Sequence, residues 1–346
     1  MIRKRVLIVE DSLVVRELLR YIVGSDPRLE VAAVVASAEE ALEVIDSIAP
    51  DVISLDIRLP GMNGLDATVA IMSRRPTPVV VVSAAVQDEE LNIAMNALRA
   101  GALSVVEKPV GTSHDAYAAM ARHLCTQLVI MSEVKVVRQA VRRGLAFTSP
   151  QSSAAPDAVP PRMVGLVAST GGPNALVQIL TDLKAGFPVP VLMVQHITPI
   201  FLDGFVAWLA ANTPFRVVVA EDGQLPQAGC AYLAPAERHL EVDGAGRLHV
   251  TGGAPVDGHQ PSGTVLLRSM AAAFPGRTLG VLLTGMGSDG AQGLLRIRQT
   301  GGHTIAESEA TAVVYGMPAA AVRIGGVSES LPLPAIGPRV LALVTR

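Results

Sequence analysis

Apolar residues fall along this chain in two recurring patterns. Short runs rich in Val and Ile, at Val6–Val9, Val31–Ala36, Val52–Leu55, Val79–Val82 and Ser104–Val106, alternate with stretches of helical spacing such as Val14–Val23, Ala38–Ile48 and Glu89–Ala100. Uninterrupted apolar runs suit strands buried on both faces, and strand–helix alternation predicts a doubly wound parallel sheet. A longer helical pattern runs from about Asp115 to Arg143. The segment from Thr148 to Pro161 is dense in Ser, Ala and Pro and reads as a linker. A second α/β alternation starts near Met163. Between Phe215 and Thr251 the β-like runs are shorter (Arg216–Ala220, Gly229–Ala234, Leu248–Val250), and turns such as Asp243-Gly244-Ala245-Gly246 predict a hairpin there. The expected organisation is a first domain at 1–125, a helical extension and linker at 126–161, and a second α/β domain, mainly parallel with a β-hairpin, at 162–346.

Composition narrows the function classes. Of 346 residues, 50% are hydrophobic, enough for two cores, while aromatics are 3%, so those cores are aliphatic. The net charge of -3 and the lack of a basic stripe argue against nucleic acid as a partner. The two cysteines, Cys125 and Cys230, have no metal or redox spacing and read as structural thiols in a reducing compartment. The basic start, Met1 to Val9, meets Glu10-Asp11 too soon for a signal peptide, and no stretch is long enough to enter a bilayer, so a cytoplasmic protein is expected.

Polar residues stand where the apolar runs end. In the first half Glu10 and Asp11 follow the first run, Asp56 the third, Ser83 the fourth, and Lys108-Pro109 the fifth. In a parallel sheet these ends open into one crevice. Clustered carboxylates repel and call for a cation, and oxygen ligands suit Mg²⁺. Lys108 offers a point charge to a phosphoryl group, Ser83 a hydroxyl donor, and Asp56 a carboxylate nucleophile. Any one of them alone would read as a solvent-facing strand end; together at the expected ends they read as one site.

Val9-Glu10-Asp11-Ser12, Ser54 to Gly64 and Glu107-Lys108-Pro109 resemble a response-regulator receiver domain, flavodoxin-like (βα)5, over about residues 4–125. The resemblance implies phosphorylation of Asp56 by a histidine kinase, Mg²⁺ held by Glu10, Asp11, Asp56 and the carbonyl of Arg58, and a cis bond at Lys108–Pro109. It also implies a switching aromatic three residues before the lysine, where this chain has Val105.

In the second half, Met163 to Ala168 leads to Ser169-Thr170-Gly171-Gly172, Val189 to Gln195 leads to His196, and Thr278 to Ser288 leads to Asp289. A serine needs a base, an imidazole such as that of His196 can serve as one, and Asp289 can hold its tautomer and stabilise its cation, the logic of acyl transfer. The Thr170 N–H and the loop at Met286 are candidate oxyanion donors, with Gly171 allowing close backbone approach. The motif is not the hydrolase elbow, which would place glycine at Val167, and the order Ser, His, Asp differs from that of α/β-hydrolases. Taken singly, Ser-Thr-Gly-Gly could equally bind phosphate at a helix start, His196 could be a core histidine, and Asp289 could cap the helix after it. His114, His123, His239, His249, His259 and His303 read as surface residues, and Met286 and Met317 as packing.

Ala168 to Pro173, Gln195-His196-Ile197-Thr198-Pro199, Leu283 to Ala291 and Gly316-Met317-Pro318 resemble the catalytic domain of the chemotaxis protein-glutamate methylesterase family, over about 160–335. The family implies a serine hydrolase that cleaves glutamate γ-methyl esters of methyl-accepting chemoreceptors, deamidates receptor glutamines, needs no cofactor for the ester reaction, and works in the cytoplasm at receptor arrays under a chemotaxis-type histidine kinase. Ser288 stands where the family has Asn, and Pro261 to Leu266 departs from Pro-Ser-Val-Asp, which predicts an altered substrate-facing loop. An unphosphorylated receiver packed over the Ser169 crevice is expected to restrain the enzyme, so deleting residues 1–150 should raise its rate. A receptor-docking module without catalysis and a nucleotide-binding output domain are the alternatives.

Overall fold

The computed structural model of this chain describes residues 2–83, 88–109, 114–134 and 160–345. It divides into two compact units, Met1–Gly144 and Leu145–Arg346. All but the last two residues of the expected linker, and the end of the long helical pattern beyond 134, lie outside the described residues.

In the first unit, β1 (Lys4–Val9), β2 (Leu29–Val35), β3 (Val52–Asp56), β4 (Val79–Ser83) and β5 (Ser104–Glu107) form a parallel sheet in the order β2-β1-β3-β4-β5. That is the flavodoxin-like order, with its switch point beside β1. The β3 and β4 strands are buried along their whole length, as continuous apolar runs require. Helices start where short polar residues cap them: Ser12 accepts from Val15 N, Ser37 from Glu40 N, and Asn63 from the amides of Leu65 and Asp66. Both cysteines are free and buried, and burial pushes the Cys125 thiol up to about 11, which makes it inert.

In the second unit, β6 (Met163–Ala168), β7 (Val191–Gln195), β8 (Arg216–Val219), β9 (Cys230–Leu233), β10 (His239–Val242), β11 (Leu248–Thr251), β12 (Thr278–Leu282), β13 (His303–Glu307) and β14 (Glu329–Leu331) follow in sequence. Seven of them form a parallel sheet in the order β14-β13-β12-β6-β7-β9-β8. The chain builds one side outward from β6, then crosses back to build the other, so β6 lies at the switch point between β12 and β7. The expected hairpin exists as β10–β11, closed by Asp243 to Arg247. The runs at β8 and β9 are not part of it. They pair in parallel at the edge of the large sheet, because β9 is buried throughout and lies beside β7. Among the described residues no helix is long and apolar enough to cross a membrane.

Candidate active site

The strands β12, β6 and β7 are neighbours and run the same way, so the residues after them meet at one sheet edge. Ala168 pairs with Gln195, which puts Ser169 and His196 next in register on adjacent strands, whose backbones lie roughly 5 Å apart across the sheet. The backbone stitches them in place: His196 N donates to Ala168 O (3.1 Å) and Ser169 N to Thr284 O (3.0 Å). The sequence alone gave Gln195 no role. It is buried, and its Nε2 donates to Ser169 O at 2.8 Å and His196 O at 3.0 Å, clamping the two strand ends together. Gly171 caps the helix Gly172–Leu183 at φ 78°, a left-handed conformation, and a Cβ there would strike Val313.

Asp289 is fully buried and saturated. Its Oδ2 lies 2.9 Å from His196 Nε2 and accepts from Gly263 N at 2.6 Å; its Oδ1 accepts from Ser262 Oγ at 2.6 Å and Thr264 N at 3.0 Å. Burial alone would raise its pKa, but the hydrogen bond and charge of His196, with Ser262 and Thr264 behind it, hold the carboxyl far below the usual range. The carboxylate thus sits at the N-terminus of the helix Gly263–Ala273, where amides and helix dipole favour an anion. It does not cap the helix that follows it in sequence, whose cap residue is Gly290 without a side-chain bond.

The segment Ser262 to Thr264 is therefore not a substrate-facing loop. Its residues are buried behind Asp289, and Thr264 Oγ1 also accepts from Gly290 N at 2.8 Å. Serine at a helix start was a legible capping signal; that it would also bond Asp289 was not. Gly263 fits because Val167 already fills the space a Cβ would need.

An ionised carboxylate only accepts, so Nε2 of His196 is the donor in this contact, and in the neutral form of the ring Nδ1 carries the lone pair. That Nδ1 is buried with no hydrogen-bond partner among the described residues. The ring is thus held at one nitrogen and available at the other, on the strand next to Ser169.

The loop after β12 forms another wall. Thr284 Oγ1 donates to Thr170 O at 2.8 Å and accepts from Val314 N at 2.9 Å, while Thr284 N donates to Glu307 Oε2 at 2.9 Å. Glu307 ends β13, is buried, and also accepts from Thr311; burial pushes its pKa up. Met317 N donates to Gly285 O at 2.8 Å, and a Cβ on Gly285 would press on Ser169 Cβ at 2.7 Å. This brings Met286 to the rim of the site, 46% exposed and not packed, whereas Met317 is buried. Among the described residues the N–H groups of Thr170 and Met286 make no hydrogen bond, leaving two donors beside Ser169.

Of the histidines read as surface residues, His239 is buried and its Nδ1 accepts from Ser262 N at 3.2 Å; His303 pairs with Glu329 at 2.7 Å; and the His259 ring stacks on His196.

At the edge of the first sheet, Glu10, Asp11 and Asp56 offer oxygens within 4.8 Å of one another. Lys108 Nζ lies 2.8 Å from Asp56 Oδ2 and 2.9 Å from Glu10 Oε2. Burial pushes both carboxyls up, with Asp56 adding to the effect at Glu10 and Lys108 opposing it at each. Burial pulls the Lys108 ammonium down, but its two carboxylate partners outweigh that and raise it. One lysine cannot neutralise three carboxylates, and a set of oxygen donors this close fits a hard divalent cation. Ser83 is buried at the end of β4, where its carbonyl accepts from Lys108 N at 2.9 Å. Arg58 donates a backbone hydrogen bond to Asp56. Among the described residues the cis peptide bond is Gln260–Pro261, not Lys108–Pro109, and Lys108 reaches both carboxylates without one.

Comparison with known proteins supplies a family for each unit. A family model described as CheB methylesterase matches residues 164–340, and one described as response regulator receiver domain matches residues 6–118. The protein-glutamate methylesterase/protein-glutamine glutaminase 2 of Paramagnetospirillum magneticum is 58% identical over 339 residues, covering 97% of this chain and 96% of that protein. A protein-glutamate methylesterase/protein-glutamine glutaminase of Nitrosospira multiformis is 41% identical over 342 residues, covering 98% and 96%. The crystal structure of the Thermotoga maritima CheB methylesterase catalytic domain matches with a TM-score of 0.52 and 32% identity, covering 54% of this chain and all of that one.

Proposed function

We propose that this chain, which belongs to the CheB methylesterase family and carries a response regulator receiver domain ahead of it, is a phosphorylation-controlled protein-glutamate methylesterase and protein-glutamine glutaminase. One observation carries the reading: His196 is tied through Nε2 to a buried, saturated Asp289 while its Nδ1 stands unpartnered at the strand end next to Ser169. A nucleotide-binding turn would have no use for that pair.

In this reading Ser169 Oγ attacks the carbonyl of a glutamate γ-methyl ester on a methyl-accepting chemoreceptor, and Nδ1 takes the hydroxyl proton. The oxyanion is received by the N–H groups of Thr170 and Met286, and Gly171 keeps that turn close. Asp289 stabilises the imidazolium through Nε2. The Cδ–O bond to the methoxy group breaks and methanol leaves with the proton from Nδ1. Water then attacks the acyl group, yielding its proton to Nδ1, and Ser169 departs to leave glutamate. A glutamine side chain follows the same course, with ammonia leaving instead of methanol.

Asp56 is the phosphoryl acceptor, supplied by a histidine kinase of the chemotaxis type. Glu10, Asp11, Asp56 and the Arg58 carbonyl would hold Mg²⁺. When bound, the ion neutralises the carboxylates and the phosphoryl oxygens. Lys108 and Ser83 are placed at the same strand ends to hold those oxygens. The substrate class puts the protein in the cytoplasm at receptor arrays.

The test is methanol release from a methylated receptor, with and without a small-molecule phosphoryl donor. Ser169→Ala should lower the rate by at least roughly 10³-fold, and the donor should raise it in the wild type. A Ser169→Ala chain that releases methanol at the wild-type rate overturns the mechanism.

A further inference from the structure

Among the described residues the imidazole of His196 makes one polar contact through its ring, Nε2 to Asp289. A single hydrogen bond fixes a point and not a plane, so it leaves the ring free to tilt about that contact. Yet general-base catalysis needs Nδ1 aimed at the hydroxyl in a near-attack geometry. The plane is set by a second ring. His259 lies flat on His196, with centroids 3.8 Å apart and planes 3° from parallel.

His259 is itself firmly presented. It and Val256 exchange two backbone hydrogen bonds, each 3.0 Å, around Asp257 (φ 53°) and Gly258 (φ 80°), the positive-φ pair of a tight hairpin turn. His239 ties both ends of the segment, bonding Ala254 O at 3.2 Å through Nε2 and accepting from Ser262 N at 3.2 Å through Nδ1. The same short stretch then supplies Ser262, Gly263 and Thr264 to Asp289. One segment therefore orients both partners of the base, its carboxylate through hydrogen bonds and its ring through a stack.

We propose that His259 is a positioning residue for the general base, its ring holding the His196 imidazole in the plane that directs Nδ1 at Ser169. This rests on the base role given to His196 above. Charge fits the geometry. Burial and then His196 push the His259 ring below the usual imidazole range, against the pull of Asp289 and Asp257. A ring that stays neutral offers its π face to the imidazolium formed in turnover. A charged one would oppose it.

The test uses the full-length chain with His259→Ala and His259→Phe. Readouts are kcat and KM for methanol release, and, without substrate, the NMR order parameter of the His196 ring C–H bonds. In His259→Ala, kcat should fall roughly ten- to a hundredfold with KM little changed. Its ring order parameter should drop from the rigid range, about 0.85, toward 0.6. His259→Phe keeps a flat ring, and should stay within about threefold of wild-type kcat with a rigid His196. An alanine variant with wild-type kcat and a rigid His196 overturns the proposal. So does a folded phenylalanine variant as slow as the alanine one, since the imidazole chemistry and not the stack would then matter. If the wild type releases no methanol, the enzyme reading fails, while the order parameters still decide whether the stack holds the ring.

Discussion

The edges of the two parallel sheets carry opposite electrostatic designs. At the first, three carboxylates, Glu10, Asp11 and Asp56, cluster, a half-buried cation, Lys108, pairs with Glu10 and Asp56, and burial pushes those two toward the protonated form. At the second, the carboxylate of Asp289 has four donors among the described residues and is driven the other way, deep into ionisation. The first site is under-satisfied, and in the proposed reading it completes itself by taking charge from outside, a cation and then a phosphoryl group. The second is satisfied in advance, and the atom left over is a nitrogen lone pair. A site built to be occupied keeps its charges unmet; a site built to move protons meets every charge but the one it transfers.

Breaking the satisfied carboxylate should have the largest effect. Asp289→Asn removes the charge behind the imidazolium and places an amide among four donors. Methanol release should fall by roughly 10³- to 10⁴-fold, and a rate within tenfold of wild type would show that Asp289 only holds the loop. Removing divalent cation separates the two edges directly. With a chelator, phosphoryl uptake at Asp56 should fall by roughly a hundredfold or more, while the esterase rate without donor stays within about twofold. A parallel loss of both activities would refute the contrast.

Packing behind Asp289 comes next. Gly263→Ala drives a methyl into Val167 and should cost about 1–3 kcal/mol, read as a lower melting temperature, with Val167→Ala restoring most of it in the double variant. The smallest effect is a control away from the active site. Glu329 meets His303 at 2.7 Å and Arg339 at 2.6 Å. Burial would raise its pKa, but those partners lower it from 4.5 to about 2. A depressed folded pKa stabilises above the unfolded value and loses that stability as pH falls from 4.5 toward 2. Glu329→Gln should therefore lower stability by about 1–2 kcal/mol at neutral pH, with the gap to wild type closing over that acid window. A gap constant with pH would mean that the ion pairs contribute nothing there.

The contrast also separates what could be read along the chain from what could not. Apolar runs marked every strand of the first sheet and five of the seven in the second, and the polar residues ending them marked Glu10, Asp56, Lys108, Ser169 and His196, because buried parallel strands have a local signature and their ends converge by topology. The β10, β13 and β14 strands went unmarked, and β8 and β9 were given no partners, because a short run does not say which strand it will lie beside. The partners of Asp289 were missed as well: Ser262, Gly263 and Thr264 lie 25 to 27 residues before it. His259 stood out in no motif, yet it covers a ring 63 positions earlier in the chain (259 less 196).

Residue types and strand ends were thus written in order along the polypeptide: which chemistry is present, and at which edge it gathers. Folding in three dimensions settled the rest: which imidazole nitrogen faces the carboxylate, which amides saturate that carboxylate, and which ring sets the plane of the base. Strand burial is a property of a few consecutive side chains, whereas hydrogen-bond partners and ring stacks depend on how segments far apart in the chain pack against each other.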